Sequence, residues 1–160
     1  MIDIVDFDIK EIILGFSRIY IFKDFNIALG GDDKKNRAIV ENKEVDIFLS
    51  PEKSRKKDFM FYRDSGLNQV LLNLAYKNKI AIGFNFHDVL ISDDRKSILG
   101  KMMQNVRLCR KYHVSMVIIS GATNELETRA PKDLLSFGIS LGMVPLEAKT
   151  ALCFEKKRIK

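Results

Sequence analysis

The sequence predicts an α/β fold: a compact barrel of parallel strands and outer helices, trimmed to near its minimum, in a single domain over residues 1–160. Short runs rich in Ile, Val, Phe and Tyr alternate with longer segments of helical period, which is typical of strands followed by helices. Seven runs, with an eighth candidate near residues 151–154, approach the eight strands of a barrel. At 160 residues the chain is shorter than the roughly 200 of most such barrels. We therefore expect a TIM-barrel-like fold with some helices shortened or missing.

The candidate strands are too short for helices, and their β-branched and aromatic residues favour strand. They lie at 4–7, 18–22, 26–29, 46–49, 59–62, 80–84 and 115–119. Apolar residues at helical spacing predict helices over 33–43, 66–78, 94–112 and 131–141. Pro131 suits a first helical turn, and Asp93 and Asp94 suit the start of the third helix.

The composition excludes several classes of protein. With 46% apolar and 30% charged residues, the chain is not a disordered polymer. No run approaches the roughly 18 apolar residues that cross a bilayer, and the acidic opening residues do not form a secretory signal. Cys109 and Cys153 lie among apolar neighbours, so we expect free buried thiols in a reducing cytoplasm.

The positive charge is concentrated in one part of the chain. Residues 1–50 have a balance of −3 and residues 51–160 a balance of +9, within a net charge of +6. Such an excess fits a face for a polyanion, either a nucleic acid or an acidic protein. Lysines scattered over a soluble surface are the alternative interpretation.

Three groups of cations are candidates for RNA contact. One shares or flanks an acid-free face of the helix predicted at 94–112, one follows Ser50-Pro51, and one lies at the start of the helix predicted at 131–141. No aromatic residues are interleaved with them, which favours recognition of the backbone and shape of structured RNA over base stacking. For the helix face, ordinary solvation is the alternative. The candidates are Lys96, Arg107, Arg110 and Lys111; Lys53, Arg55, Lys56 and Lys57; and Arg129 and Lys132.

No catalytic constellation is convincing. Gly138 to Gly142 matches G-x-S-x-G, but that motif needs a preceding strand and a later histidine, and the last histidine is His113. His87-Asp88 follows a strand at the end where barrel enzymes place their chemistry, although such a lone pair is more often a loop hydrogen bond. We predict no catalytic residue and no metal site in this chain.

An acidic trio near the start of the chain, Asp3, Asp6 and Asp8, offers oxygen ligands for Mg²⁺. In a strand, however, Asp3 points to the face opposite Asp6 and Asp8. The three carboxylates are therefore not expected to converge on one ion.

Several sequence stretches together resemble one family. They are SGLNQVL at 65–71, LAYKNKIAIGF at 74–84, VIISGA at 117–122, RAPKDL at 129–134, and LGM at 141–143 followed by EA at 147–148. In this order and spacing, over about residues 46–152, the chain resembles protein component 3 of archaeal ribonuclease P, the family of the eukaryotic thirty-kilodalton subunit.

The resemblance implies a TIM-barrel-like subunit of the ribonucleoprotein that removes the 5′ leader from precursor tRNA. In that endonuclease the RNA subunit carries the active site and its Mg²⁺, so no intrinsic catalysis and no bound cofactor are expected here. The implied partners are the RNase P RNA, precursor tRNA indirectly, and protein component 2, typically in a heterotetramer; no membrane is involved. Among the motif positions, Asn68 and Ser120 either face RNA or a partner, or start a helix and cap a turn.

Two other functions remain open on these residues. The first is a metal-dependent phosphoesterase or nuclease on a barrel, using Asp6, Asp8, His87 and Asp88. The second is a protein-interaction module whose basic surface docks an acidic partner rather than RNA.

Overall fold

A computed structural model describes residues 1–8, 15–53, 58, 60 and 63–154. Within them the strands are β1 (Ile2–Val5), β2 (Arg18–Ile21), β3 (Ile27–Leu29), β4 (Ile47–Leu49), β5 (Ala81–Asn85) and β6 (Met116–Ile119). The α-helices are α1 (Asp33–Glu41), α2 (Gln69–Lys77), α3 (Phe86–Ile91), α4 (Arg95–Lys111), α5 (Pro131–Ser140) and α6 (Pro145–Ala151). Short 3-10 turns occupy Phe22–Asp24 and Glu125–Glu127.

The strands form a curved, parallel arrangement. β1 pairs with β2, and β3, β4, β5 and β6 pair in sequence order, all in parallel. The first strand also lies beside the last: Gly121 N donates to Ile4 O over 3.1 Å, and Asp6 N donates to Ala122 O over 2.8 Å. This contact between the first and last strands gives the TIM-barrel-like fold that the sequence predicts.

The inside of the curve is filled with side chains. Residues at alternate positions of β4 and β6 point inward, as the period of two in a strand requires. At Gly83 in β5, an added Cβ would lie 2.7 Å from Leu49 Cδ1, so the glycine leaves room for the Leu49 side chain inside the curve. The buried inner cluster comprises Ile4, Phe25, Ile47, Leu49, Ala81, Val117 and Ile119, with Tyr20, Phe22, Ile27 and Phe154 packed against it.

The outside of the strands is covered by helices. Phe48, Ile82 and Ile118 belong to the outer cluster, together with residues of α1, α2, α4 and α5. Both faces of β4, β5 and β6 are buried, so these strands consist largely of continuous apolar residues rather than of alternating apolar and polar ones. Of the apolar stripe expected on α4, Met102 and Val106 are fully buried and Leu99 is half-buried, but Met103 is exposed.

Three sequence expectations about local structure differ from the structure. The predicted eighth strand is wrong, because α6 ends at Ala151 and the next residue, Leu152, accepts a 2.6 Å hydrogen bond from Ile2 N. Periodicity cannot separate strand from helix in so short an apolar run. The short helix α3 was not predicted, and Cys153 is exposed although Cys109 is buried. The strand expected at 59–62 lies largely outside the described residues.

None of the described helices is long and apolar enough to cross a membrane.

The G-x-S-x-G stretch lies at the end of α5 rather than after a strand. Its first glycine packs against the sheet: a Cβ at Gly138 would lie 2.5 Å from Ile118 Cδ1 and 3.1 Å from Ala148 Cβ. Ser140 is exposed and donates to the backbone oxygen of Ser136 over 2.9 Å. The stretch is therefore a close helix–sheet contact, and no strand precedes Ser140 as the nucleophile motif would need.

We predict that Gly138→Ala lowers the free energy of unfolding by about 1–2 kcal/mol. The added methyl group overpacks the contact with Ile118, which typically costs about 1–3 kcal/mol, while better helix propensity returns roughly 0.5–1 kcal/mol. Measured by urea unfolding, Gly138→Ala should lower the free energy of unfolding by less in an Ile118→Val background, where the opposing methyl group is missing. An equal cost in both backgrounds would contradict this packing.

Candidate nucleic-acid interface

Helix α4 has an unusually one-sided charge. Its 17 residues include six cations and neither Asp nor Glu. Asp94 caps its start by accepting from Ser97 N over 3.0 Å, and Arg110 and Lys111 lie in its last turn, where cations oppose the negative end of the helix dipole. The cations that are exposed on the face away from the core are Lys96, Arg107 and Lys111. We call these three residues the α4 strip.

A residue from a distant part of the chain lies on the same face. The guanidinium of Arg63 rests against α4 at Gly100, where an added Cβ would lie 2.7 Å from Arg63 Cζ. Gln104 Nε2 donates to the backbone oxygen of Arg63 over 3.1 Å, and Arg63 Nε lies 3.7 Å from Asp58 Oδ2. Arg63 was not among the predicted cations. The available signal was a glycine inside a predicted helix, which often marks a close approach.

Arg110, one of the candidate RNA-binding cations, is engaged within the protein. Its Nε and Nη2 donate to the two carboxylate oxygens of Glu147 over 2.8 and 2.6 Å, and Nη2 also donates to Gly142 O over 2.7 Å. Hydrogen bonding to this guanidinium holds the pKa of Glu147 below its ordinary value. Arg110 thus fastens the corner between α5 and α6 to α4.

The remaining candidate cations lie elsewhere. Lys53 Nζ donates to Asp88 Oδ1 over 2.8 Å. Arg129 Nη1 donates to the backbone oxygens of Leu126 and Thr128, and its guanidinium lies 5.5 Å from the centre of the Phe86 ring. Lys132 is exposed in the first turn of α5. Arg55, Lys56 and Lys57 lie outside the described residues.

Both polar motif positions have structural partners. The side chain of Asn68 caps α2 by accepting from Leu71 N over 3.0 Å. Ser120 is fully buried, and its hydroxyl accepts from Ala122 N over 3.4 Å in the turn after β6. These contacts match the helix-start and turn-cap alternatives.

A cleft of about 410 Å³ opens beyond the carboxyl ends of β4 and β5, where barrel enzymes bind their substrates. Its walls include Glu52, Lys53, Asp88 and Lys101. Asp88 is buried and accepts from Ser50 Oγ over 2.5 Å in addition to Lys53. The Asp88 carboxylate therefore already has a cation and a hydroxyl as partners.

The four residues of the metal-dependent alternative do not form one site. Asp6 and Asp8 line a separate pocket with Ile21, Phe22 and Lys23, whereas Asp88 lies in the cleft. His87 Nδ1 lies 3.1 Å from Glu127 Oε2. Among the residues that the structure describes, no group of three or more His, Cys, Asp or Glu side chains is placed to hold a metal ion. The geometry does not favour the phosphoesterase.

Glu52 is the most perturbed carboxyl group in the cleft. Burial raises its pKa to about 8, the Asp88 carboxylate adds to the rise, and Lys101 opposes it. Its Oε2 accepts from Asn105 Nδ2 over 3.2 Å, and the same amide nitrogen donates to Ser65 O over 3.1 Å. Asn105 thus joins the two ends of the segment that runs from Glu52 to Ser65, and Glu52 is mostly protonated at neutral pH.

We predict that Glu52→Gln stabilises the chain at alkaline pH. The pKa of Glu52 is higher in the folded state than in the unfolded state, so its contribution to stability is complete below about pH 4.5 and disappears as the pH rises through about 8. Gln has the shape of the protonated acid but does not ionise. Urea unfolding at pH 5 and pH 9 should show a variant advantage that grows with pH, by a few kcal/mol at most. Glu44→Gln, at an exposed position, is the control, and a pH-independent difference for Glu52→Gln would refute the prediction.

Known proteins with similar sequences belong to one family. The family model described as "RNase P subunit p30" matches residues 15–159. Ribonuclease P protein component 3 of Methanococcus maripaludis is 38% identical over 116 residues, covering 71% of this chain and 47% of the relative. Its counterpart in Thermococcus kodakarensis is 36% identical over 132 residues, covering 81% of this chain and 56% of the relative. The chain therefore spans about half the length of the curated relatives it matches.

A solved structure agrees with the family match. A chain in a cryo-EM structure of archaeal ribonuclease P with mature tRNA superposes with a TM-score of 0.69 and 37% sequence identity, over 78% of this chain and 52% of that chain. The parallel strands, the outer helices and the matched residues 15–159 lead to one conclusion: the chain belongs to the RNase P subunit p30 family.

Proposed function

We propose that this chain acts as a non-catalytic protein subunit of ribonuclease P, the ribonucleoprotein that removes the 5′ leader from precursor tRNA. The observation that carries the proposal is the α4 strip, an exposed row of cations on a helix without a single acid. Family membership supplies the identity of the polyanion, the RNase P RNA.

The strip is suited to phosphate rather than to bases. Lys and Arg contacts to phosphates position a protein on RNA and carry no sequence information by themselves. Ordinary exposed helices intersperse Glu with Lys to form i, i+4 pairs, and the absence of acids on α4 forgoes that stabilisation. A helix face that carries cations and no acids attracts a phosphate backbone.

The proposal extends to the chemistry and the partners. The RNA subunit holds the active site and its Mg²⁺, and this chain binds no cofactor. Precursor tRNA is contacted indirectly, and protein component 2 joins this chain in a heterotetramer. We place the complex in the cytoplasm, since Cys109 and Cys153 are both free and reduced thiols are usual there.

Reconstitution tests the function. The RNase P RNA encoded by the same genome would be combined with component 2, with and without this chain, and precursor-tRNA cleavage measured at limiting Mg²⁺. We expect the chain to raise the rate and to lower the Mg²⁺ concentration required. No gain in either quantity would refute the proposal, and cleavage by the RNA-free protein would favour the phosphoesterase instead.

The strip itself is tested by salt dependence. Removal of one phosphate contact should reduce the slope of log affinity against log salt concentration by about 0.7–0.9. We therefore expect Lys96→Ala and Arg107→Ala each to weaken RNA binding and to flatten this slope by that amount. The control is Arg37→Ala, which removes an exposed arginine paired with Glu41 on α1. Equally weakened binding by Arg37→Ala would mean that only overall charge matters.

A further inference from the structure

We propose that Arg63 is a fourth cation of the RNA contact, and that Gly100 exists in α4 to seat its guanidinium in line with the α4 strip. This inference rests on the proposed function. It adds a binding residue that lies 33 positions from Lys96 in the sequence and that only the folded chain brings to this face.

Spacing along the helix places Arg63 in the row of cations. At about 1.5 Å of rise per residue, Lys96 and Arg107 stand roughly 16 Å apart along α4. Gly100 lies between them, roughly 6 Å from the level of Lys96 and roughly 10 Å from that of Arg107. The guanidinium over Gly100 therefore fills the widest gap in the row of charges.

The arginine also fits closely against the helix. Arg63 Nη1 and Cζ occupy the space that any larger residue at position 100 would need for its Cβ. Gln104, one turn further along α4, holds the Arg63 backbone through its 3.1 Å hydrogen bond. Glycine inside a helix lowers stability by roughly 0.5–1 kcal/mol relative to alanine. The Arg63 guanidinium, which needs the space above position 100, explains why a glycine stands there.

The guanidinium keeps donors available for a ligand. Nε of Arg63 lies 3.7 Å from Asp58 Oδ2. The Asp58 carboxylate is shared with other groups: its Oδ1 lies 3.9 Å from Lys101 Nζ and accepts from Asp64 N over 3.0 Å. A guanidinium carries five N–H donors, and its planar fork matches phosphate oxygens. The Arg63 side chain is 46% exposed. Within the described residues, no acidic side chain other than Asp58 pairs with it.

The test is a double-mutant cycle on RNA affinity. Arg63→Ala removes the guanidinium, and Gly100→Ala displaces it while leaving its charge in the chain. We expect each to weaken binding of the same RNase P RNA by roughly three- to tenfold, the weight of one exposed hydrogen-bonded contact. The double variant should bind no worse than Arg63→Ala alone, because Gly100→Ala affects RNA binding only by displacing the Arg63 guanidinium. Asp58→Asn, which removes the competing carboxylate, should strengthen binding.

Stability measurements separate this effect from misfolding. Gly100→Ala displaces only the flexible end of a side chain and improves helix propensity, so its free energy of unfolding should equal or exceed that of the unmodified chain. Weaker RNA binding by a variant of equal or greater stability is the result that a purely structural glycine would not produce.

The outcomes distinguish the two proposals. Unchanged affinity for Arg63→Ala and Gly100→Ala, together with weaker binding by Lys96→Ala, would overturn the role of Arg63 and leave the proposed function standing. Absence of any RNA binding by the unmodified chain together with component 2 would overturn the function itself. If the Arg63 variants bound component 2 less tightly and RNA equally well, this face would contact protein and the inference would be wrong.

Discussion

The carboxyl group of Asp3 is the contact on which the barrel depends. It is almost fully buried at the junction between β1 and β6, where its Oδ1 accepts from Ile4 N over 2.8 Å and from Ser120 N over 2.7 Å. Removing a carboxyl group from water is expensive unless hydrogen bonds compensate it, and burial raises the pKa of Asp3 against the influence of these donors. The first strand is thereby fixed to the turn that follows the last strand.

The position of the functional surface follows from that junction. With β1 held beside β6, the inner faces of the strands enclose one apolar cluster, and their outer faces require cover. Helix α4 supplies much of that cover through Met102, Val106 and Cys109. Its opposite face consequently carries the exposed cations, with Arg63 lying over its middle at Gly100. A rigid, sheet-backed helix is a better platform for a row of cations than a loop.

Much of this arrangement can be predicted from residue patterns, because it depends on local periodicity. The buried stripe of α4, its Asp94 cap and the Asn68 cap of α2 all follow from spacing and side-chain chemistry. Arg63 escaped prediction because its neighbour Gly100 is far away in the sequence. Arg110 was predicted to contact RNA, but it pairs with Glu147, and the fold alone brings these two residues together. Helix α3 lacks the length that makes a helical period recognisable.

Glu52, buried in the cleft, changes the net charge of the folded chain. The formal charge of +6 counts its carboxyl group as ionised, yet burial keeps that group mostly protonated at pH 7. This carboxyl group therefore makes the folded chain more positive than its composition implies. The change is local: Glu52 accepts from Asn105, so it lies against the buried side of the helix that carries the α4 strip. Folding itself thus strengthens the field that an approaching polyanion meets.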